Sequence, residues 1–392
     1  MEYPFPTEPG LALDPRYAQL RENCPVVQVD LPHGGPAWLV TGHPECREVL
    51  ADPRFSRARA TDPASPRFTP RPLPVGMLQN LDPPDHTRLR RVVAQAFTVH
   101  RVNQLRPRVT ELTAGLLGRI RAHGPGADLV EMLAFPLPLQ VICELLGVPH
   151  EDQGTFRKWS DAFLSTASLT PAEVEESAKL LYEYISGLVE RQRNQPTNTL
   201  LGKIVRAAHG EAAVSEVEMV MLGVVVLVGG YETTACQIAN SIYVLLREPE
   251  RYERLRADPD LLRLAIPELM RFIPLGSAGS FPRVATEDVH VGGVTIKAGD
   301  AVVTHAGSAN RDSRVFTNPD ELDLTREDNP HLGFGHGAHH CLGSRLATME
   351  LQVVLRSVLT EFPTLRLATP EADIPWRTGM IVRAPKELPV SW

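Results

Sequence analysis

Aromatic side chains are scarce in this chain of 392 residues, at 6%, and positive charge is not in excess: 40 Lys and Arg stand against 47 Asp and Glu, a formal net charge of −7. A surface built to hold phosphate backbones is basic, so nucleic acid is excluded as a partner. Cysteine is sparse too. Cys24, Cys46, Cys143, Cys236 and Cys341 stand singly, and an odd, unpatterned set provides no disulfide framework and fits a reducing compartment. Long apolar runs are missing: the longest, from Met219 to Gly230, has 12 residues, short of the roughly 20 that span a bilayer. The opening Met1-Glu2-Tyr3-Pro4-Phe5-Pro6 has neither a basic stretch nor an apolar core. A signal peptide, an anchor and a membrane are therefore not expected, and the location expected is cytoplasmic. No linker, internal repeat or low-complexity tract divides the sequence, which predicts a single domain over 1–392.

What is present is mostly helical pattern. Apolar runs at 26–30 and 37–41, joined by His33-Gly34-Gly35-Pro36, predict a β-hairpin. From 61 to 76, Pro63, Pro66, Pro70, Pro72 and Pro74 forbid regular helix and predict a mobile surface loop. Helical periodicity then runs from Asp85 to about Leu255, broken at 124–126, 136–138, 147–149 and 195–196. Ser215-Glu216-Val217-Glu218 matches a capping box, in which serine and glutamate each satisfy an orphan N–H of the first turn. With no proline before Pro249, this helix has room for about thirty residues and ~45 Å. Its first half is apolar on every side, the mark of a helix buried through the middle of a protein. Short β segments follow at 289–294, 295–298 and 301–305, and the last helix ends near Glu361 because Pro363 disfavours helix before it.

The chemistry concentrates around Cys341. Phe334-Gly335-His336-Gly337-Ala338-His339-His340-Cys341-Leu342-Gly343 places one thiol on a glycine-rich loop running into an amphipathic helix marked by Leu342, Leu346, Met349 and Val353. A cysteine at a helix start meets exposed N–H groups that favour the thiolate. The flanking glycines admit a large planar ligand close to the backbone. A thiolate so placed can serve as axial ligand of a haem iron. An inert buried thiol and a zinc site remain as alternatives, although the crowded histidines lack zinc-type spacing.

Two further constellations carry chemistry. Gly229-Gly230-Tyr231-Glu232-Thr233-Thr234 sits inside the long helix, where two glycines cost roughly 1 kcal/mol each relative to alanine. Close passage of a flat cofactor would offset that. The Thr233 hydroxyl can bond the carbonyl of Gly229 and loosen the helix, and the acid Glu232 beside this alcohol makes a proton-delivery pair. Glu268 and Arg271 lie an i,i+3 step apart on one helix face, with Pro267 expected in that helix's first turn.

The order Phe334-x-x-Gly337-x-His339-x-Cys341-x-Gly343 resembles the haem-binding signature of the cytochrome P-450 family. The resemblance covers nearly the whole chain, in the family's order. It implies a mainly α fold with a minor β region, a triangular helical prism with haem b between the long central helix and the helix after the cysteine loop. Gly229 to Thr233 is similar to the family's oxygen-activation segment A-G-x-D/E-T, departing from it in having Gly229 for alanine. Glu268 and Arg271 resemble its E-x-x-R element, with His331 as the third group. His86, Arg90, Arg283 and His339 resemble the groups that bind the haem carboxylates, and Phe334, Cys341, Gly343 and Gly229 complete the cofactor set, Cys341 being the metal ligand.

By the same resemblance, a substrate pocket is expected from Met77, Leu78, Leu164, Val226, Gly230, Leu275, Gly276, Ser277, Ala278 and Met380. Small side chains at 275–280 and few aromatics point to a roomy aliphatic pocket. The implied activity is a monooxygenase that hydroxylates or epoxidises a bulky hydrophobic natural product such as a macrolide or other polyketide, acting as a monomer. A haem-thiolate sensor without turnover, and a peroxide-driven oxygenase on a fatty acid or terpenoid, are the competing readings. No flavin or nicotinamide fingerprint follows a strand, so NAD(P)H would act through separate proteins. Six arginines between His86 and Thr110 (Arg88, Arg90, Arg91, Arg101, Arg106, Arg108) occur without an acid. They predict a basic patch for an acidic ferredoxin, itself served by a ferredoxin reductase.

Overall fold

A computed structural model describes the chain except residues 7–8, 167 and 208–213, and the side chains at 158, 160 and 161. In chain order the helices are α1 (Arg16–Asn23), α2 (His43–Ala51), α3 (Asp85–Ala94), α4 (Val99–His123), α5 (Pro136–Leu146), α6 (Gln153–Leu164) and α7 (Pro171–Asn194). They continue as α8 (Leu200–Ala207), α9 (Glu216–Arg247), α10 (Pro249–Ala257), α11 (Leu262–Phe272), α12 (Ala306–Ala309) and α13 (Ser344–Glu361). The strands are short: β1 (Val26–Leu31), β2 (Gly35–Val40), β3 (Phe55–Ser56), β4 (Ala127–Asp128) and β5 (Arg283–Ala285). After them come β6 (Val289–Val291), β7 (Val294–Ile296), β8 (Ala301–Thr304), β9 (Arg366–Leu367) and β10 (Pro389–Ser391).

The chain folds as two compact units, each drawn from two stretches of sequence. The first comprises Met1–Thr87 and Pro267–Cys341. Its core is a sheet in the order β1-β2-β8-β5-β3. The expected hairpin is there, with Val29 opposite Ala37, and β8 runs parallel to β2 with Leu39 opposite Val303. Alternate residues of β1 face inward, as half-buried strands require. Tyr3, Phe5 and Tyr17 pack with Leu39 and Val303 beneath the sheet. Gly34 turns at φ +83°, and a Cβ there would come within 2.5 Å of the Ser65 carbonyl oxygen. That close approach ties down the proline-rich loop predicted to be mobile: Arg67 N–H donates to His33 C=O at 2.8 Å and receives the reciprocal bond. The two short segments predicted after residue 288 pair as the hairpin β6–β7.

The second unit comprises Arg88–Ile266 and Leu342–Trp392. Helix α9 runs through it, 32 residues long. Ser215 Oγ accepts from Glu218 N–H while Glu218 Oε2 accepts from Ser215 N–H, so the predicted capping box is in place. An 18-residue window of α9 is apolar and long enough to cross a membrane, yet 72% of it is buried inside the protein. That burial comes from neighbours including α5 and α7. Strands β4, β10 and β9 form a separate sheet.

The break predicted at 136–138 is there: a helical segment ends at Ala134 and Pro136 opens α5, where a first-turn N–H has no intrahelical partner to lose. Proline behaves differently from expectation at one place. Pro267 sits inside α11, which starts five residues earlier at Leu262. Burial of Leu262, Ala265, Ile266, Leu269 and Met270 on this helix outweighs the hydrogen bond that the proline removes.

Candidate active site

In the first unit the thiol loop is built by glycine. Gly335 and Gly337 both take φ +71°, a conformation with no Cβ penalty only for glycine. A Cβ on Gly337 would meet the Leu50 carbonyl oxygen at 2.4 Å, so the loop backbone rests on the end of α2. Cys341 N–H donates to Phe334 C=O at 2.8 Å and closes the loop, leaving the cysteine exposed. Helix α13 begins at Ser344, so the cysteine precedes the helix instead of starting it. A loop hydrogen bond, not the helix end, fixes its backbone.

His86, in the first turn of α3 and 2% exposed, lies with its ring 4.2 Å from that of His339. Arg90 follows one turn later on α3. Arg283, on β5, is 4% exposed. Burial pulls its guanidinium down to about 10, and the Asp82 charge only partly offsets this. No hydrogen bond from its side chain is found among the described residues, and a buried guanidinium without an acceptor calls for a carboxylate. Its neighbour Arg57, also buried and pulled down to about 9 first by desolvation and then by Arg283, is already engaged. It donates to Gln79 C=O, Phe281 C=O and Asn80 Oδ1.

The Glu268–Arg271 pair is fully buried at 2.8 Å. Its third group differs from the expected one. Arg326 Nε and Asn329 Nδ2 each donate to Glu268 Oε2 at 3.0 Å. His331 instead accepts from Gly333 N–H at 3.1 Å, and burial pushes its imidazole down to about 4. An uncharged ring is a poor partner for a carboxylate that two guanidinium groups already reach.

In the second unit α9 is buried between Met219 and Leu246 except along a stripe at Met221, Val225, Gly229, Gly230 and Thr233. The four-residue spacing puts these on one face. The two glycines do different things. A Cβ on Gly230 would lie 2.6 Å from Ile142 Cδ1, so Gly230 admits α5, whereas a Cβ on Gly229 would meet nothing within 4 Å. Gly230 therefore lets α5 pack closely. Thr233 Oγ donates to Gly229 C=O at 2.8 Å, as predicted, while Thr234 is turned into the core. Glu232 is fully buried and ion-paired with Arg377 at 2.6 Å.

The expected pocket residues divide between the units. Met77 and Leu78 are buried in the first, where Leu275, Gly276, Ser277 and Ala278 are half-buried and Ala278 C=O accepts from Tyr3 Oη. In the second, Leu164 C=O accepts from Ile381 N–H at 2.8 Å, which sets Leu164 beside Met380. Val226 is buried off the open stripe. The basic patch is narrower than the sequence implied, because the fold supplies acids from elsewhere: Arg88 pairs with Glu218, and Arg108 with Glu111 and Glu144.

Sequence reasoning missed Arg57, Arg326 and Arg377. Each acts on a partner distant in sequence, and none sits in a recognisable local pattern. The chemistry present in the first unit fits a haem: an accessible thiol on a glycine loop and a buried guanidinium lacking an acceptor. Together with the helical fold, these features define a haem-thiolate protein.

Comparison with known proteins agrees. The cytochrome P-450 family model matches residues 155–392. Nocardicin C N-oxygenase of Nocardia uniformis subsp. tsuyamanensis is 50% identical over 100% of this chain and 98% of its own length. Mycinamicin IV hydroxylase/epoxidase of Micromonospora griseorubida is 46% identical over 100% of this chain and 98% of its own. A solved structure of HinD with NMFT and NO superposes with a TM-score of 0.96 at 48% identity, covering 100% of this chain and 99% of that one. The chain belongs to the cytochrome P-450 family. It has the fold of that family and is a monooxygenase, and the family's cofactor is a haem held by a cysteine thiolate.

Proposed function

We propose that this enzyme transfers one atom of O₂ to a bulky hydrophobic natural product of macrolide or polyketide type, hydroxylating or epoxidising it, with Cys341 as the thiolate that would hold haem b. The solvent-open Cys341 on its glycine loop carries the reading. The bound haem supplies the redox centre at which O₂ is reduced, one oxygen atom going to substrate and the other to water. Phe334 and Gly343 flank the thiolate. Arg283, Arg90, His86 and His339 hold the haem carboxylates, a task that suits charge-assisted donors. Gly229 leaves room beside α9. Thr233, held on Gly229 C=O, passes protons that Glu232 supplies.

Electrons come from NAD(P)H through a ferredoxin reductase and an acidic ferredoxin, which meets the arginines that retain charge on α3 and α4. The two units work as one domain in a soluble, cytoplasmic monomer. The substrate class is supported by the half-buried, small-sided segment at 275–280 and by the relative named mycinamicin IV hydroxylase/epoxidase. The relative at 50% identity is named as an N-oxygenase, and that favours amine nitrogen as a second point of attack.

The test is turnover with NADPH, a ferredoxin and its reductase, offering macrolactones, amine-bearing natural products and fatty acids side by side. A spectral spin shift and an oxygenated product with the first or second class are expected; preference for fatty acids would overturn the substrate assignment. In the same assay Thr233→Ala keeps its haem spectrum but diverts most reducing equivalents to peroxide. Full coupling in that variant would remove Thr233 from the proton path.

A further inference from the structure

The Arg377–Glu232 pair is unusual in where its two halves are mounted. Glu232 stands on α9, a long and largely buried helix. Arg377 stands on an irregular C-terminal hairpin, in which Trp376 pairs with Pro385 and Arg377 N–H donates to Ala384 C=O. The base of this hairpin is fixed to α9: Asn240 Nδ2 donates to Arg383 C=O at 2.8 Å, and the Trp376 ring lies 5.2 Å from Tyr243. Its tip is attached elsewhere. Ile381 N–H donates to Leu164 C=O and Thr166 N–H donates to Gly379 C=O, both at 2.8 Å, with Ser165 bridged to Met380 between them. These residues form the C-terminal end of α6 and the start of the connection to α7.

A carboxylate with 0% exposure is stable as an anion only while a cation faces it. Held on a guanidinium, it has no proton to give. To donate one, Glu232 must first loosen from Arg377. Glu232 is carried by a helix and Arg377 by an irregular hairpin, so the guanidinium is the half placed to move. A second position is at hand. The Phe135 ring has Arg377 over it at 5.1 Å and Arg157 at 4.8 Å, and Arg157 is paired with the half-exposed Glu131. The Glu131 carboxyl is held below its usual range by Arg157 first and by Arg377 as well.

We propose that Arg377 is the positioning residue for the acid Glu232, and that the hairpin bearing it ties release of that acid to the α6–α7 connection at residues 164–166. A substrate that shifts this connection pulls the hairpin tip, draws the guanidinium towards Glu131 and frees the Glu232 carboxyl to take up and pass on a proton. Without that shift, the acid stays locked. The inference rests on the proton-path reading above, so its test must separate the two.

Electron accounting, run with each of the compound classes offered above, provides that test. Reduction of O₂ to peroxide consumes one NADPH and two protons' worth of delivery at oxygen, whereas reduction to two waters consumes two NADPH and twice the protons. The NADPH oxidised per peroxide released therefore reports proton delivery. Wild type, Arg377→Gln, Arg377→Lys, Glu232→Gln and the double variant Glu232→Gln/Arg377→Gln are compared with ferredoxin, reductase and NADPH, each first shown to keep the thiolate-type spectrum. Arg377→Gln is expected to change the peroxide share by roughly tenfold, as a misplaced proton donor does. Arg377→Lys restores most of the wild-type value, and the double variant equals Glu232→Gln alone. Fully additive effects, or an unchanged peroxide share with only a lower unfolding midpoint, would make Arg377 a structural residue and overturn the proposal.

The tether is tested by Ile381→Pro and, independently, Thr166→Pro, each of which deletes one N–H donor of the tip while leaving Arg377 in place. Either is expected to move the peroxide share away from wild type. If both leave it unchanged while Arg377→Gln alters it, the coupling to residues 164–166 is wrong. Wild type that keeps its spectrum yet consumes no NADPH would instead refute the proposed electron supply.

Discussion

Replacing Cys341 with alanine is expected to abolish the thiolate-type Soret band of the carbonyl adduct and to lower turnover by roughly a thousandfold, about 4 kcal/mol of barrier. The substitution removes the thiolate that would hold the haem, so the turnover loss is chemical, and the urea midpoint should fall with the weakened cofactor binding. Cys46 and Cys143 cannot substitute. Burial pushes the Cys143 thiol up to about 12 and Cys46 higher still, and a ligand to iron must be deprotonated. An unchanged Soret band in the variant would rule out Cys341 as the ligand.

Arg271→Met should be the most damaging change to the fold, costing about 3–5 kcal/mol in urea unfolding because it strands a buried charge. Arg271 and Glu268 are both 0% exposed. The guanidinium donates to Glu268 through Nε and Nη2 and also to the carbonyls of Asn310, Pro319 and Glu321. Glu268 in turn accepts from Asp323 N–H, Arg326 and Asn329. This one pair thus fastens the irregular chain at 310–329, just upstream of the thiol loop. Lysine cannot reproduce the planar fork, so Arg271→Lys should recover little. A loss below 1 kcal/mol for Arg271→Met would show that the loop is held by other means.

Those two residues differ in how readable they were. Cys341 lies in a dense local pattern whose glycines, histidines and following helix all act within ten residues, and such patterns survive in a bare sequence. The long helix was equally plain, since its capping box and apolar composition are local facts. The pairing of Glu268 with Arg271 was predictable from spacing, but its further partners were not. Arg326 and Asn329 reach the carboxylate from 58 and 61 residues away, whereas His331 had the right position and the wrong bond. Pro267 misled because burial of a helix face outweighs one missing hydrogen bond. The acid-free run of arginines misled because Glu218 and Glu144 arrive through tertiary folding. The short strands β3, β4, β5, β9 and β10 have too few residues to show a period. Distance along the chain, more than chemical type, decided what could be read.

The interleaving of the two units has a consequence for birth on the ribosome. Neither can be completed from one continuous stretch, and β4 cannot pair until β10 emerges. Glu232 waits 145 residues for Arg377, roughly 7–30 s at 5–20 residues per second. During that interval the acid in the middle of α9 has no counter-charge from the hairpin, which disfavours premature burial of the helix. Vectorial synthesis thus postpones closure of the second unit until the chain that completes it is available.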